Sequence, residues 1–299
     1  MKWVSLSCDE KATYAAHLPV VTRLWDLLGY HPLIAIHDGN WDTAFGRTVL
    51  RHTVGNIRRV PQVPPLSVAN TMRAERLFAF TCPEVQPDDF ILMADVDMYP
   101  LSRTFFDIKG PLTILRALWY AWLGHEGRMP VMAGDWLQPG EYNFPMCYAG
   151  ADAHVWSEMF HEGSLAGCVI PADLASGTSF DESQMSYRML KRVESSPIIE
   201  VQRGVWTKGE MKLIDPIDAP LLSSYPDMPR GLMRLGDKWR PGEESCPVDA
   251  LDIIPPRFVR HEYPWWVFDA VCMYFPELTP WLKEYQRELA STLRGALWP

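Results

Sequence analysis

Two aspartates separated by a single residue, Asp95-Val96-Asp97, follow directly on the apolar run Phe90-Ile91-Leu92-Met93-Ala94. A regular strand points residues i and i+2 to the same side. A turn at the end of such a strand can bring both carboxylates to one ion, directly or through water. Mg²⁺ and Mn²⁺ take hard oxygen ligands of this kind and keep positions open for phosphate oxygens. An ion bridging a diphosphate neutralises the charge that builds on a departing nucleotide. Turns also use aspartate freely for purely local reasons. The compact strand before the pair, and the helix before that strand, favour the functional reading. A second acidic pair, Asp181-Glu182, opens a helical segment after Gly177-Thr178-Ser179-Phe180. A general base must lie within hydrogen-bond reach of the hydroxyl it activates, and acids are also favoured at helix N-termini by the macrodipole; both readings of this pair stand.

The elements that must position these residues show in the periodicity. Lys2 to Cys8 reads as a first strand, and Ala12 to Leu28 as a helix with Leu18, Val21, Leu24, Trp25 and Leu28 at helical spacing and Gly29 as its stop. Pro32 to His37 is a strand ended by the turn Asp38-Gly39, Asn56 to Val60 a third strand, Ser67 to Phe80 a second amphipathic helix, and Phe90 to Ala94 a buried strand. This rhythm predicts an α/β fold with a mostly parallel sheet and helices on its faces. In such sheets ligands bind outside the carboxyl ends of the strands, where Asp95 and Asp97 fall. Farther on, Glu141 to Ala149 and Ile198 to Gln202 read as strands. Ala153 to His161, Glu182 to Val193 and Trp281 to Leu297 read as helices. Pro216 to Pro256 lacks periodicity and reads as a long, functional loop region.

Composition removes some function classes. The chain has 299 residues, 47% of them hydrophobic and 22% charged, enough for a sizeable core and against wholesale disorder. A net charge of −9 argues against a nucleic-acid partner, which calls for clustered Lys and Arg. The six cysteines are scattered with no CxxC pair, which disfavours a zinc site. They read as buried thiols in a reducing compartment, although an even count also permits disulfides in a secreted protein. The opening Met1-Lys2-Trp3-Val4-Ser5-Leu6 starts like a signal peptide, but Asp9, Glu10 and Lys11 cut the apolar run short. The longest apolar stretch, Pro111 to Gly124, contains Arg116 and is too short to span a bilayer. It reads as a buried helix, or as a membrane-surface helix that touches a lipid-linked acceptor. The expectation is a cytoplasmic protein without a transmembrane segment, with peripheral membrane contact left open.

Residues 67–101, a helix with Arg73 and Arg76 followed by the apolar strand and Asp-Val-Asp, resemble the corresponding block of GT-A glycosyltransferases, in particular the glycogenin-like and galactinol-synthase-like families. The resemblance implies a GT-A (Rossmann-like) α/β/α sandwich. It implies that Leu6, Ser7 and Cys8, at the first strand and the loop after it, hold base and ribose. It implies that Arg76 lies near the diphosphate or the sugar, and that Asp95 and Asp97, around Val96, bind Mn²⁺ or Mg²⁺. Arg257-Phe258-Val259-Arg260-His261-Glu262-Tyr263-Pro264-Trp265 resembles the family's late histidine followed by Pro-Trp, which makes His261 the third metal ligand. The spacing here is shorter, and the family's diphosphate-gripping lysine is absent. Phe144 to Asp152 resembles the strand and small-residue turn under donor sugar and acceptor, where small residues admit a sugar to the backbone; equally, it reads as a packed strand with Asp152 capping the next helix. Asp181, ahead of Glu182, matches the carboxylate that takes the acceptor's proton in inverting enzymes, or the pair that orients the sugar in retaining ones. Trp136, Trp206, Trp265 and Trp266 read as packing or as sugar-stacking faces.

Three rivals are weaker. A haloacid-dehalogenase-like phosphatase would use Asp95 as nucleophile, but its motif usually lies near the N-terminus and continues with Thr or Val, where this chain has Met98-Tyr99-Pro100. A nucleotidyltransferase would carry a glycine-rich basic loop after the first strand, which Ser7-Cys8-Asp9-Glu10-Lys11 does not supply. A non-catalytic nucleotide-sugar or carbohydrate-binding protein would carry the same metal motif. The expectation is one GT-A domain over residues 1–299, with 1–101 as the nucleotide-sugar half and 102–299 as the acceptor half and C-terminal region. It would move a sugar from a nucleoside-diphosphate sugar, UDP favoured, to a hydroxyl on a glycan or glycoconjugate.

Overall fold

The computed structural model describes residues 1–101, 106–108, 110, 112–115, 148–170, 180–193, 195–196, 198–202, 205–214, 233–234, 250–252 and 266–296. Its strands are β1 (Lys2–Cys8), β2 (His31–His37), β3 (Asn56–Val60), β4 (Phe90–Ala94), β5 (Met98–Pro100), β6 (Leu112–Leu115), β7 (Tyr148–Asp152), β8 (Ile198–Gln202), β9 (Val205–Lys208), β10 (Met211–Ile214), β11 (Met233–Arg234) and β12 (Ala250–Asp252). Its helices are α1 (Ala12–Ala15), α2 (Leu18–Leu27), α3 (Ala44–His52), α4 (Val68–Glu75), α5 (Ala153–Met159), α6 (Phe180–Arg192), α7 (Trp266–Tyr274) and α8 (Thr279–Ala296).

The main sheet runs β3-β2-β1-β4-β7-β6-β10-β9-β8, and β11, β12 and β5 make a small second sheet. Strands β3, β2, β1 and β4 are mutually parallel, and β7 and β9 are the reversed members, so seven of the nine strands run one way. The alternation of strand side chains builds two cores. Val4, Leu6, Ile34, Ile36, Phe90 and Leu92 face one side, with α2, α3, α7 and α8. Trp3, Leu33, Ile91, Met93, Leu112 and Ile114 face the other, with α4, α5 and α6. The expected α/β/α sandwich with a mostly parallel sheet is therefore the observed one. After β1 the chain builds outward through β2 and β3 and then returns to place β4 on the other flank of β1, so the strand order reverses between β1 and β4. Ser5 pairs with Met93, which sets the carboxyl ends of these two strands side by side. A crevice forms at such a reversal.

Local signals explain the element ends. Gly29 adopts φ +84 directly after the last turn of α2, where an L side chain is strained. The Ser67 hydroxyl accepts the backbone N–H of Asn70 at 3.2 Å and starts α4. The C-terminal helix is fastened to the N-terminal half. The Tyr285 hydroxyl donates to the Ala16 carbonyl at 2.7 Å, Trp281 Nε1 donates to His52 Nδ1 at 3.1 Å, and Glu288 meets His52 Nε2 at 2.7 Å.

Several expectations need correction. The first helix is two helices, α1 and α2, broken at Ala16-His17 with Pro19 in the first turn of α2. Helix α3 was not expected; Thr43 caps it, and Phe45, Val49 and His52 form its buried stripe. Within the expected helix from Pro111, residues Leu112–Leu115 form strand β6 between β7 and β10, because all four side chains are buried between cores; residues 116–147 lie outside the described ones. The strand expected to end at Ala149 runs to Asp152, and Asp152 takes the N-cap position of α5 with no side-chain capping bond. Strands β9 and β10 and helix α7 had no sequence-based counterpart. Trp206 lies in β9 and Trp266 opens α7, while Trp136 and Trp265 fall outside the described residues.

Gly150 belongs to packing: a Cβ there would meet Phe90 Cζ at 2.3 Å and Leu92 Cδ1 at 3.3 Å. Phe90 is itself buried and cannot swing aside freely. Gly150→Ala should cost about 1–3 kcal/mol of stability, the usual price of overpacking, in urea unfolding followed by circular dichroism. An unchanged midpoint would show that the β4–β7 contact has slack.

Candidate functional site

The crevice at the β1/β4 reversal holds a cavity of about 160 Å³. Ser7, Cys8, Asp9 and Tyr14 line it from the end of β1 and the segment after it. Asp95, Val96 and Asp97 line it from the turn after β4, where the Met98 N–H closes on the Asp95 carbonyl at 3.3 Å. Ala69, Met72, Arg73 and Arg76 complete the wall from one face of α4 and the 3-10 turn that follows it. Both aspartates are partly exposed, whereas Val96 points into the first core. The aspartate pair therefore sits in a turn and not in a regular strand, with both carboxylates on the cavity.

Arg76 is the electrostatic centre of the wall. It is 3% exposed. Its Nη1 donates to the Ala94 carbonyl at 2.8 Å and to Asp95 Oδ1, its Nη2 to Asp181 Oδ2 at 3.1 Å, and its Nε to the Arg73 carbonyl at 3.2 Å. Burial by itself would push this guanidinium down, but Asp95 and Asp181 hold it above its usual value. Asp181 is as buried as Arg76, at 3% exposure. The helix α6 thus starts at the carboxylate motif, and its Asp181 meets an arginine 105 residues earlier in sequence.

The other ionisable groups answer to the same carboxylates. Burial, reinforced by Asp9, Asp97 and Glu10, pushes the Cys8 thiol well up, and its sulfur donates to the Asp9 carbonyl at 3.0 Å. A thiol so placed stays protonated and is a packing group, not a nucleophile. Burial raises the Tyr14 hydroxyl, with Asp97 adding to the rise and Arg73 opposing it.

Of the residues singled out in the sequence, Ser7, Cys8, Arg73, Arg76, Asp95, Val96 and Asp97 come together at this cavity. Leu6 does not: it is fully buried in the first core, because β1 turns its side chain away from the opening. Asp181 reaches the site through Arg76. Glu182 lies in the first turn of α6, and His261 falls outside the described residues. Among the described residues no three His, Cys, Asp or Glu side chains cluster closely enough to hold an ion by themselves. Asp95 and Asp97 nonetheless suit a hard cation: two carboxylates face a solvent-connected cavity, and Asp95 offers Arg76 only Oδ1. Asp9, Tyr14, Ala69 and Met72 were not expected here. The α4 contribution was legible, since 69, 72, 73 and 76 follow the spacing of one helical face. A second cavity, about 660 Å³ along α5 and α6, carries none of the residues singled out.

No family model and no curated protein matches the chain. Among solved structures it is similar to an active-site mutant of LgtC, with 15% identity, a TM-score of 0.44 and coverage of 84% of this chain and 86% of that one. A likeness of that degree speaks neither to activity nor to substrate. Among the described residues, no helix is long and apolar enough to cross a membrane.

Removing one partner of a buried ion pair leaves an uncompensated charge and costs about 3–5 kcal/mol. Asp181→Ala should therefore destabilise the protein by about 3 kcal/mol, towards the lower end because Asp95 remains beside Arg76. The double change Arg76→Met with Asp181→Leu should recover part of the loss. Guanidinium unfolding of the three proteins checks this, and an Asp181→Ala protein as stable as the parent would contradict the pairing.

Proposed function

We propose that this chain is a metal-dependent glycosyltransferase of the GT-A type, taking a nucleoside-diphosphate sugar, UDP-linked in the first instance, and passing the sugar to a hydroxyl of a glycan or glycoconjugate. One observation carries the reading: the Asp95-Val96-Asp97 turn at the end of β4 shares a cavity with the end of β1 and two arginines, at the point where the strand order reverses. Asp95 and Asp97 would hold Mn²⁺ or Mg²⁺, with His261 as the third ligand. A bound divalent cation supplies charge neutralisation for a departing diphosphate.

The chain's own residues do the rest in this reading. Ser7 and Cys8, with Asp9 and Tyr14, form the wall against which a nucleoside lies. Arg76 fixes Asp95 so that its other carboxylate oxygen faces the cavity. Asp181, buried and bound to Arg76, holds that arginine in place and so orients the donor end of the site. Glu182, its neighbour in the first turn of α6, is the carboxylate left to take the acceptor's proton if the reaction inverts.

The test is release of nucleoside diphosphate from a panel of UDP-, GDP- and dTDP-sugars with Mn²⁺, with and without sugar acceptors. One donor should be turned over, and Asp97→Asn should lower the rate by about a hundredfold or more, the scale of a lost transition-state electrostatic contact. Turnover that is independent of metal, or full activity in Asp97→Asn, would overturn the assignment. Hydrolysis of p-nitrophenyl phosphate in place of sugar release would move the reading to a phosphatase with Asp95 as nucleophile.

A further inference from the structure

The cavity of about 660 Å³ along α5 and α6 is larger than the one at the β1/β4 reversal and shares no lining residue with it. Its size lies within the range of about 300–1,000 Å³ usual for ligand sites. Gln184, Tyr187, Arg188, Lys191 and Arg192 line it at the spacing of one helical face. That face continues from Asp181, since Gln184 and Arg188 stand three and seven residues further on. At 1.5 Å per residue, the cavity begins about 5 Å along α6 from the carboxylate that meets Arg76 and runs about 12 Å more to Arg192. A track of that length suits a chain better than a single small molecule.

The ionic groups of this wall cancel. Arg188 Nη1 and Nη2 donate to Glu162 at 2.8 and 2.5 Å, Arg192 Nη1 donates to Glu158 at 2.6 Å and its Nε to Glu210, and Lys191 donates to the Tyr187 hydroxyl at 3.3 Å. Three cations thus meet three carboxylates among the described residues, with His161 4.0 Å from Glu162. A balanced wall offers no net field to a phosphate, a sulfate or an acidic peptide. It offers fixed acceptors and donors side by side, because carboxylate oxygens accept while guanidinium and amide groups donate. A hydroxyl does both, so a run of sugar hydroxyls matches it. Met159 and Val169, the latter 81% exposed, add apolar surface for the C–H faces of sugar rings.

One group of the wall is unfinished. Gln184 is 5% exposed, and its amide Nε2 has no hydrogen-bond partner among the described residues. A buried donor left unpaired is costly. The last torsion of a glutamine is soft, so this amide can turn to an acceptor that enters the cavity.

We infer that this cavity is a second binding subsite, which takes an uncharged glycan chain, with Gln184 donating to a sugar oxygen. Its role in the reaction rests on the glycosyltransferase reading: the chain is the part of the acceptor remote from the reacting hydroxyl. Binding so far from the chemistry is made equally in ground and transition states, so it lowers the acceptor's KM and leaves kcat alone.

The experiment is an array of immobilised neutral, sialylated and sulfated oligosaccharides, probed without nucleotide or metal with wild type, Gln184→Leu and Val169→Arg. Wild type should retain neutral glycans in preference to acidic ones. Gln184→Leu should bind them about tenfold more weakly, the scale of one hydrogen bond. Its melting temperature should be unchanged or higher, because an apolar group of similar shape removes the unpaired amide, whereas a purely structural glutamine would lower it. Val169→Arg, at an exposed position, should weaken the same binding by unbalancing the charge and narrowing the mouth, with folding intact. No retention, a preference for acidic glycans, or equal binding by all three proteins would refute the subsite. A protein that holds neutral glycans through Gln184 and yet turns over no nucleotide sugar would sink the glycosyltransferase reading and leave the subsite standing.

Discussion

A guanidinium at 3% exposure is tolerated only when its charge is matched and its N–H groups find acceptors. Arg76 meets both conditions through three parts of the chain: the end of β4 (Ala94 and Asp95), the last turn of α4 (Arg73) and the start of α6 (Asp181). Each part contributes to the site as well as to the tether. Asp95 is held with one oxygen towards Arg76 and its side chain still about a third exposed. The N-terminal turn of α6 is drawn to the same point through Asp181. The interaction is thus less a source of net stability than a constraint on geometry, which is the use of buried ion pairs best supported by physical argument.

The sheet supplies the other constraint. Because β4 is laid beside β1 after β2 and β3 have been placed on its far flank, the connections at the carboxyl ends of β1 and β4 diverge and leave room between them. The β1 side brings Ser7, Cys8 and Asp9, and the β4 side brings Asp95 to Asp97. The small residue Ala69 on α4 keeps the wall open there. Gly150 and Phe90 hold the neighbouring strand tightly, which keeps β4 from shifting relative to β7. The reversed strand β7 turns the rest of the sheet away from a fully parallel plan without disturbing the β1–β4 crevice.

How much of this was legible follows from the range of each interaction. Strands β1, β2, β3 and β4 could be read because apolar runs and turn residues are local signals, and the carboxylate pair could be read because its strand precedes it directly. Helix α3 escaped because Phe45 and Val49 are the only large apolar residues on its buried face, which Gly46, Thr48 and His52 complete, although its Thr43 cap was available. Strands β9 and β10 escaped because each has four residues and a turn at Gly209-Glu210 between them, too short to show a period. The Arg76–Asp181 pair was beyond reach for a different reason. The partners are 105 residues apart, and no spacing rule connects a helix end in one half of the chain to a helix start in the other. Leu6 was assigned to the site by its place beside Ser7 and Cys8, but strand alternation sends it to the core. The wall residue Asp9 lies in an irregular segment, where position after a strand is the sole sequence signal, and Tyr14 lies in the short helix α1, where helical spacing does not single it out.

The claim on which the account turns is that Asp95 and Asp97 share one divalent cation at the end of β4. Anomalous diffraction at the manganese edge, from crystals grown with Mn²⁺ and UDP, tests it most directly. The account expects one peak about 2 Å from a carboxylate oxygen of each aspartate, as oxygen ligands to a hard cation require, with Arg76 still bound to the other Asp95 oxygen and Asp181. A peak elsewhere, or a manganese-free turn whose aspartates bind only protein groups, would contradict it.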